Sequence, residues 1–157
     1  MIKYIALGMC ALALVAIFMN HSNIPAVIST EGQPSDSVVI GTTTVLVDIA
    51  ATSAARTQGL SGRKSLAWGN GMLFIFPKAG DWGFWMKDMY FPIDIIWADK
   101  AGVITTVLPN VSSTTYPQAF HPNAPSVYVL EVPAGYAAAH DIGVGQKIVV
   151  QYNERVE

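Results

Sequence analysis

The sequence predicts a mostly β fold: one compact barrel- or sandwich-like domain with about two short helices, behind an N-terminal hydrophobic helix. Three observations lead there. About seven or eight short runs rich in β-branched and aromatic residues recur between Val38 and Tyr152. Turn residues punctuate them, among 13 glycines and 9 prolines. Only two stretches past the N-terminal segment, Thr52–Leu60 and Tyr136–His140, have helical character. Many short strands with few helices favour a closed or doubly layered sheet.

Residues 1–19 form the first segment. Lys3 precedes an unbroken apolar run from Ile5 to Met19. Fifteen apolar residues lie between a secretory hydrophobic region and a full membrane span of roughly 20. The run therefore addresses the chain to a membrane as a signal peptide or a retained anchor, with the rest exported. Partnership with the membrane is expected through residues 1–19 alone. Residues 20–37, with Pro25, Gly32 and Pro34, read as a linker, and residues 38–157 as the β-rich domain.

Along that domain, Val38–Ile40 and Thr44–Ala50 read as strands. Thr52 or Ser53 can cap a short helix that Gly59 ends. Gly71–Phe76 is apolar on both alternating faces, as in a strand covered on both sides. Pro77–Gly83 reads as a loop and Phe84–Met89 as extended. Ile93–Ala98 and Val103–Leu108 pair across a turn at Asp99–Gly102. Pro109–Pro125 reads as a long irregular loop. Ser126–Val132, a helix at Tyr136–His140 and a strand at Lys147–Tyr152 complete the chain.

Composition excludes several classes. Charged residues make up 13% of the chain and the net charge is −2. No Lys/Arg cluster offers the basic stripe that nucleic acid requires, so no nucleic-acid partner is expected. The single cysteine, Cys10, lies in the apolar run, so no thiolate nucleophile, thiolate metal site or disulfide belongs to the domain. Walker, dinucleotide and nucleophile-elbow motifs are absent. No cofactor or metal is expected. Met72, Met86 and Met89 suit either copper(I) or core filling, and no histidine spacing adds to a metal site.

The chemistry-bearing residues are two carboxyls in apolar strands. Asp94 shares a strand face with Ile96 and Ala98. Glu131 shares one with Val127 and Val129. Each needs a cationic or hydrogen-bonding partner or a raised pKa. Arg56, Arg63 and Lys87 are the available cations. Three readings follow. The carboxyls form structural ion pairs, such as Arg63 with Glu131 or Arg56 with Asp94, in a structural or protein-interaction module with no ligand site. The same charges line a site for a small polar or anionic ligand or envelope component, beside Trp85 and Met86. Or Asp94 and Glu131 are the acid and base of a hydrolase. Whether the protein is an enzyme, and its oligomeric state, stay open.

Four segments carry a resemblance: Ala55–Arg63 (ARTQGLSGR), Gly71–Phe76 (GMLFIF), Phe84–Met89 with Pro92-Ile93-Asp94, and Val129–Gly135 (VLEVPAG). In this order and spacing the chain resembles the bacterial and archaeal family catalogued as domain of unknown function 192, from about Val45 to Tyr152. Ser61 departs from the family's frequent Met, and Asp88–Phe91 from its frequent Asn-Thr and aliphatics. The resemblance implies a barrel-like, mostly β domain, often exported behind a signal sequence, with no established activity. It marks Arg56, Gly59, Arg63, Trp85, Met86, Lys87, Asp94 and Glu131 as the candidate site positions.

Overall fold

The structure, a computed structural model, describes residues 36–151. The expected membrane-directed segment at 1–19 and all but the end of the linker lie outside them. Among the described residues no helix is long and apolar enough to cross a membrane.

Nine strands and two helices follow in the order β1 (Ser37–Ile40), β2 (Thr43–Ala50), α1 (Ser53–Gln58), β3 (Asn70–Gly80), β4 (Phe84–Trp85), β5 (Ile93–Ala98), β6 (Ile104–Val111), β7 (Ala119–Phe120), β8 (Ser126–Pro133), α2 (Tyr136–Ala139) and β9 (Ile148–Gln151). Seven of them form one sheet in the order β6-β5-β8-β3-β2-β1-β9, while β4 and β7 make a separate two-stranded ribbon. All pairs are antiparallel except β2 with β3, whose parallel pairing requires the α1-containing crossover between them.

The sheet curls into a half-barrel. Its first and last strands approach at one end, where Val103 bridges Lys147 and the Ile104 N–H donates to the Gln146 carbonyl at 2.8 Å. Strand alternation then divides the apolar residues between two faces. Val38, Val45, Leu73, Ile96, Leu130 and Ile148 come from six different strands, including the edge strand β9, and share one buried cluster with Ile104 of the opposite edge. A cluster fed by both edges is the inside of the curl. Tyr136 and Ala137 of α2 pack into it. The other face holds a second cluster of Met72, Phe74, Ile95, Trp97 and Val129, covered by Leu60, Met86 and the segment around them. Burying each such large side chain contributes about 1.5–3 kcal/mol. Covered on both faces, β5 is buried along its whole length, which is why its sequence is almost continuously apolar.

Two glycines set the spacing. A Cβ at Gly71 would lie 2.7 Å from the Glu131 carbonyl oxygen, so β3 approaches β8 closely only because that residue has no side chain. Gly102 combines φ +79 with a Cβ position 2.6 Å from the Ile148 carbonyl oxygen, at the point where the curl draws together.

Three expectations are corrected here. Pro77–Gly83 is not wholly loop, because β3 runs on to Gly80 through an irregularity between Ile75 and Gly80. Phe84–Met89 is extended only at Phe84–Trp85, and Asp88 turns the chain with φ +55. The supposed loop after Pro109 likewise begins as strand, to Val111, and later contributes β7.

Candidate functional site

Asp94 and Glu131 sit on adjacent strands but on opposite faces. Asp94 lies on the Ile96 and Ala98 face, inside the curl. Glu131 lies on the Val129 face, outside it. They share no cleft, and an acid–base pair made of the two is ruled out by this geometry.

Asp94 is fully buried and fully satisfied. Its Oδ1 accepts the Asn110 N–H at 2.7 Å and the Gly135 N–H at 3.0 Å, and its Oδ2 accepts the Ala137 N–H at 2.9 Å. The sequence explains each bond. Pro109 has no N–H for the β5–β6 ladder, and the register shifts between Ile93 and Ile95, leaving Asn110 at φ +55 with its donor turned to Asp94. Gly135 precedes α2 with φ +83 and brings no side-chain cap, so Asp94 supplies the oxygens that the first turn needs. Asp94 is therefore a structural anchor. The expected Arg56–Asp94 ion pair does not form.

Glu131 presents the opposite case. Its cross-strand neighbours are Met72 on β3 and Ile95 on β5, neither of which offers a donor. The residue is 5% exposed, and Oε2 has no hydrogen-bond partner among the described residues. Burial pushes its carboxyl up to about 8, against the smaller opposing pull of the Arg63 charge. At neutral pH Glu131 therefore carries a proton. The expected Arg63–Glu131 pair does not form either, since the Arg63 Nη1 meets the Asp48 Oδ2 at 2.6 Å. Both partners there are well exposed, so the bridge contributes at most about 1 kcal/mol.

Glu131 contributes to the lining of a cavity of about 390 Å³. That volume lies in the range of small-molecule sites. One wall is α1 and the turn after it, from Ser53 to Ser61. Thr52 caps this helix by accepting the Ala55 N–H at 3.1 Å, and Gly59 ends it with φ +51 against the Phe74 ring. The facing walls are aromatic: Phe74 and Phe76 from β3, then Trp82, Phe84 and Trp85. Phe76 stacks on Trp82 with centroids 4.2 Å apart, and Phe84 meets Phe74 edge-on at 4.8 Å. The Trp82 carbonyl is held by the Trp97 indole N–H at 3.0 Å, which ties the wall to the core. Arg56 completes the lining. Its Nη1 donates to the Ala51 and Ile75 carbonyls, and its guanidinium lies 5.1 Å from the Phe76 ring centre, a cation–π distance.

Of the sequence candidates, Arg56, Gly59, Trp85 and Glu131 meet at this cavity. Arg63 stands at a separate depression of about 170 Å³ with Asp36 and Asp48. Lys87 is exposed, and its carbonyl, not its ammonium, is engaged, accepting the Ser61 hydroxyl at 2.8 Å. Met86 is 1% exposed in the outer cluster, where Met72 also lies and against which Met89 packs. The three methionines thus fill one apolar layer. The sequence reading missed Phe74, Phe76, Trp82 and Phe84. A signal existed, since Met72, Phe74 and Phe76 alternate onto the Glu131 face.

The profile of one protein family, DUF192 (Uncharacterized ACR), matches residues 37–150. Among curated proteins none matches. Two solved structures are similar. A proposed transcription regulator from Sinorhizobium meliloti 1021 is 26% identical with a TM-score of 0.67, covering 73% of this chain and 91% of its own. A protein of unknown function from Novosphingobium aromaticivorans DSM 12444 is 28% identical with a TM-score of 0.67, covering 72% and 83%. With nearly the whole described domain matched by its profile, this chain belongs to the DUF192 family of uncharacterized proteins.

Proposed function

We propose that the domain binds a small organic molecule in the aromatic cavity, with a flat or apolar body against the walls and a polar group on Glu131. The observation that carries this is a buried carboxyl with an unpartnered oxygen, lining a ligand-sized cavity. Buried polar groups are nearly always paired, and exceptions cluster at sites that are completed by something else. An anionic ligand is disfavoured, because Arg63 and Lys87 lie outside the lining and Arg56 is committed to two carbonyls. The transcription-regulator role proposed for the S. meliloti protein finds no support in a chain of net charge −2 without a basic stripe.

Trp85 is 57% exposed at this cavity, so its loss leaves the core intact. Trp85→Ala is expected to weaken any ligand found by screening the full chain by roughly 2–10-fold, the equivalent of one aromatic contact of about 0.5–1.5 kcal/mol. Calorimetry reads this directly. Unchanged affinity for every ligand found would refute the cavity as the site.

The proposal extends to where the domain works. Residues 1–19 direct it out of the cytoplasm, anchored at the membrane or released, on the strength of the apolar run behind Lys3. Cell fractionation should recover the chain in the membrane or exported fraction. Recovery in the cytoplasm would contradict this.

A further inference from the structure

The cavity's chemistry narrows the ligand class, an inference that rests on the binding reading above. Four features act together. The Glu131 carboxyl is buried, and its cross-strand neighbours Met72 and Ile95 bring neither donor nor charge. Its Oε2 is unpartnered among the described residues. The walls are faces and edges of Phe74, Phe76, Trp82, Phe84 and Trp85, and aromatic faces attract cations. Arg56 at 5.1 Å from Phe76 is an instance of that attraction within this cavity.

The chain's own cations leave Glu131 unmatched. Arg56 of α1 lines the same cavity but is held by the Ala51 and Ile75 carbonyls. Arg63 acts on Glu131 only through its charge and bonds Asp48. Lys87 is outside. A neutral hydroxyl pairs with the protonated carboxyl and gains only an ordinary hydrogen bond. An N–H-bearing cation displaces the carboxyl proton and gains a stronger, charge-assisted bond to the carboxylate.

We infer that the ligand is a primary or secondary ammonium compound with an apolar or aromatic body, its nitrogen seated on Glu131. Binding then exchanges a proton. The protonated carboxyl gives up its hydrogen to solvent, and the ammonium donates N–H to the carboxylate that results. Since Glu131 ionises at about 8, affinity for such a ligand rises about tenfold for each pH unit between 6 and 8, then levels off.

Isothermal titration of the full chain with benzylammonium, and with benzyl alcohol as its neutral counterpart, tests this. Benzylammonium should bind more tightly, with the tenfold pH slope and close to one proton released per molecule bound at pH 7. Glu131→Gln should abolish the slope and bring benzylammonium down to the affinity of benzyl alcohol. Tighter binding of benzyl alcohol, or a pH-independent affinity for benzylammonium, would overturn the ammonium inference while the cavity reading stands. No binding of either probe at millimolar concentration would overturn the inference too, and the cavity would then be judged by the Trp85→Ala comparison alone.

Discussion

At pH 8 the Glu131→Gln variant should be more stable than the wild type. Glu131 ionises at about 8 in the folded domain, against an ordinary 4.5. Below pH 4.5 both folded and unfolded chains hold the proton, and the residue carries no ionic penalty. Between 4.5 and 8 only the unfolded chain has lost it, so each pH unit removes about 1.4 kcal/mol of stability. Above 8 the loss is complete, on the order of 4–5 kcal/mol, a large share of an ordinary domain's 5–15. Glutamine removes the titration, but its buried amide is itself short of partners, at a cost of about 1–3 kcal/mol. The expected net gain at pH 8 is a few kcal/mol, vanishing or reversing below pH 4.5. Urea unfolding of both proteins across pH 4–9 checks it. Parallel stability curves across that range would be inconsistent with a buried, unpaired Glu131.

Asp94→Ala should have the largest effect of opposite sign. The substitution strips acceptors from three backbone donors at once, on Asn110, Gly135 and Ala137. A buried donor left unmet costs about 1–3 kcal/mol. The three share one carboxyl and are not independent, so their costs do not simply add. A loss on the order of 4 kcal/mol or more is expected, with accelerated amide exchange at those three positions. Asp94→Asn should lose less, since its one carbonyl oxygen still accepts. A loss below about 1 kcal/mol for the alanine variant would mean that the β5–β6 bulge and α2 do not depend on this anchor.

These two carboxyls show how far the sequence could be read. Alternation along β5 and β8 correctly assigned Asp94 to the Ile96 face and Glu131 to the Val129 face. It could not tell which face closes and which keeps a cavity. That depends on the bulge at Pro109–Asn110 and on α2 turning back at Gly135, both of which bring backbone donors from distant sequence to Asp94. The strands themselves were legible because burial on both faces writes long apolar runs. The ion pairs were misjudged for a topological reason. Asp48 belongs to β2, the parallel neighbour of β3, and the crossover between these strands carries Arg63 to Asp48 rather than to Glu131. The aromatic walls went unseen because Trp82 folds back onto Phe76 within a stretch whose glycines and proline read as loop.

The family resemblance had marked Arg56, Gly59, Trp85 and Glu131 alongside Arg63, Met86, Lys87 and Asp94. Geometry separates the two groups. The first four line a common space, while Lys87 holds the turn, Met86 fills the outer apolar layer, Asp94 is the inner anchor and Arg63 bonds Asp48.

Glu131, buried and unpartnered at Oε2 beside the aromatic cavity, is expected to keep its proton at neutral pH. A carboxyl carbon-13 NMR titration of the full chain measures this directly. A Glu131 midpoint of about 8, moving down when benzylammonium is added, is the predicted result. A midpoint near the ordinary 4.5 would contradict it.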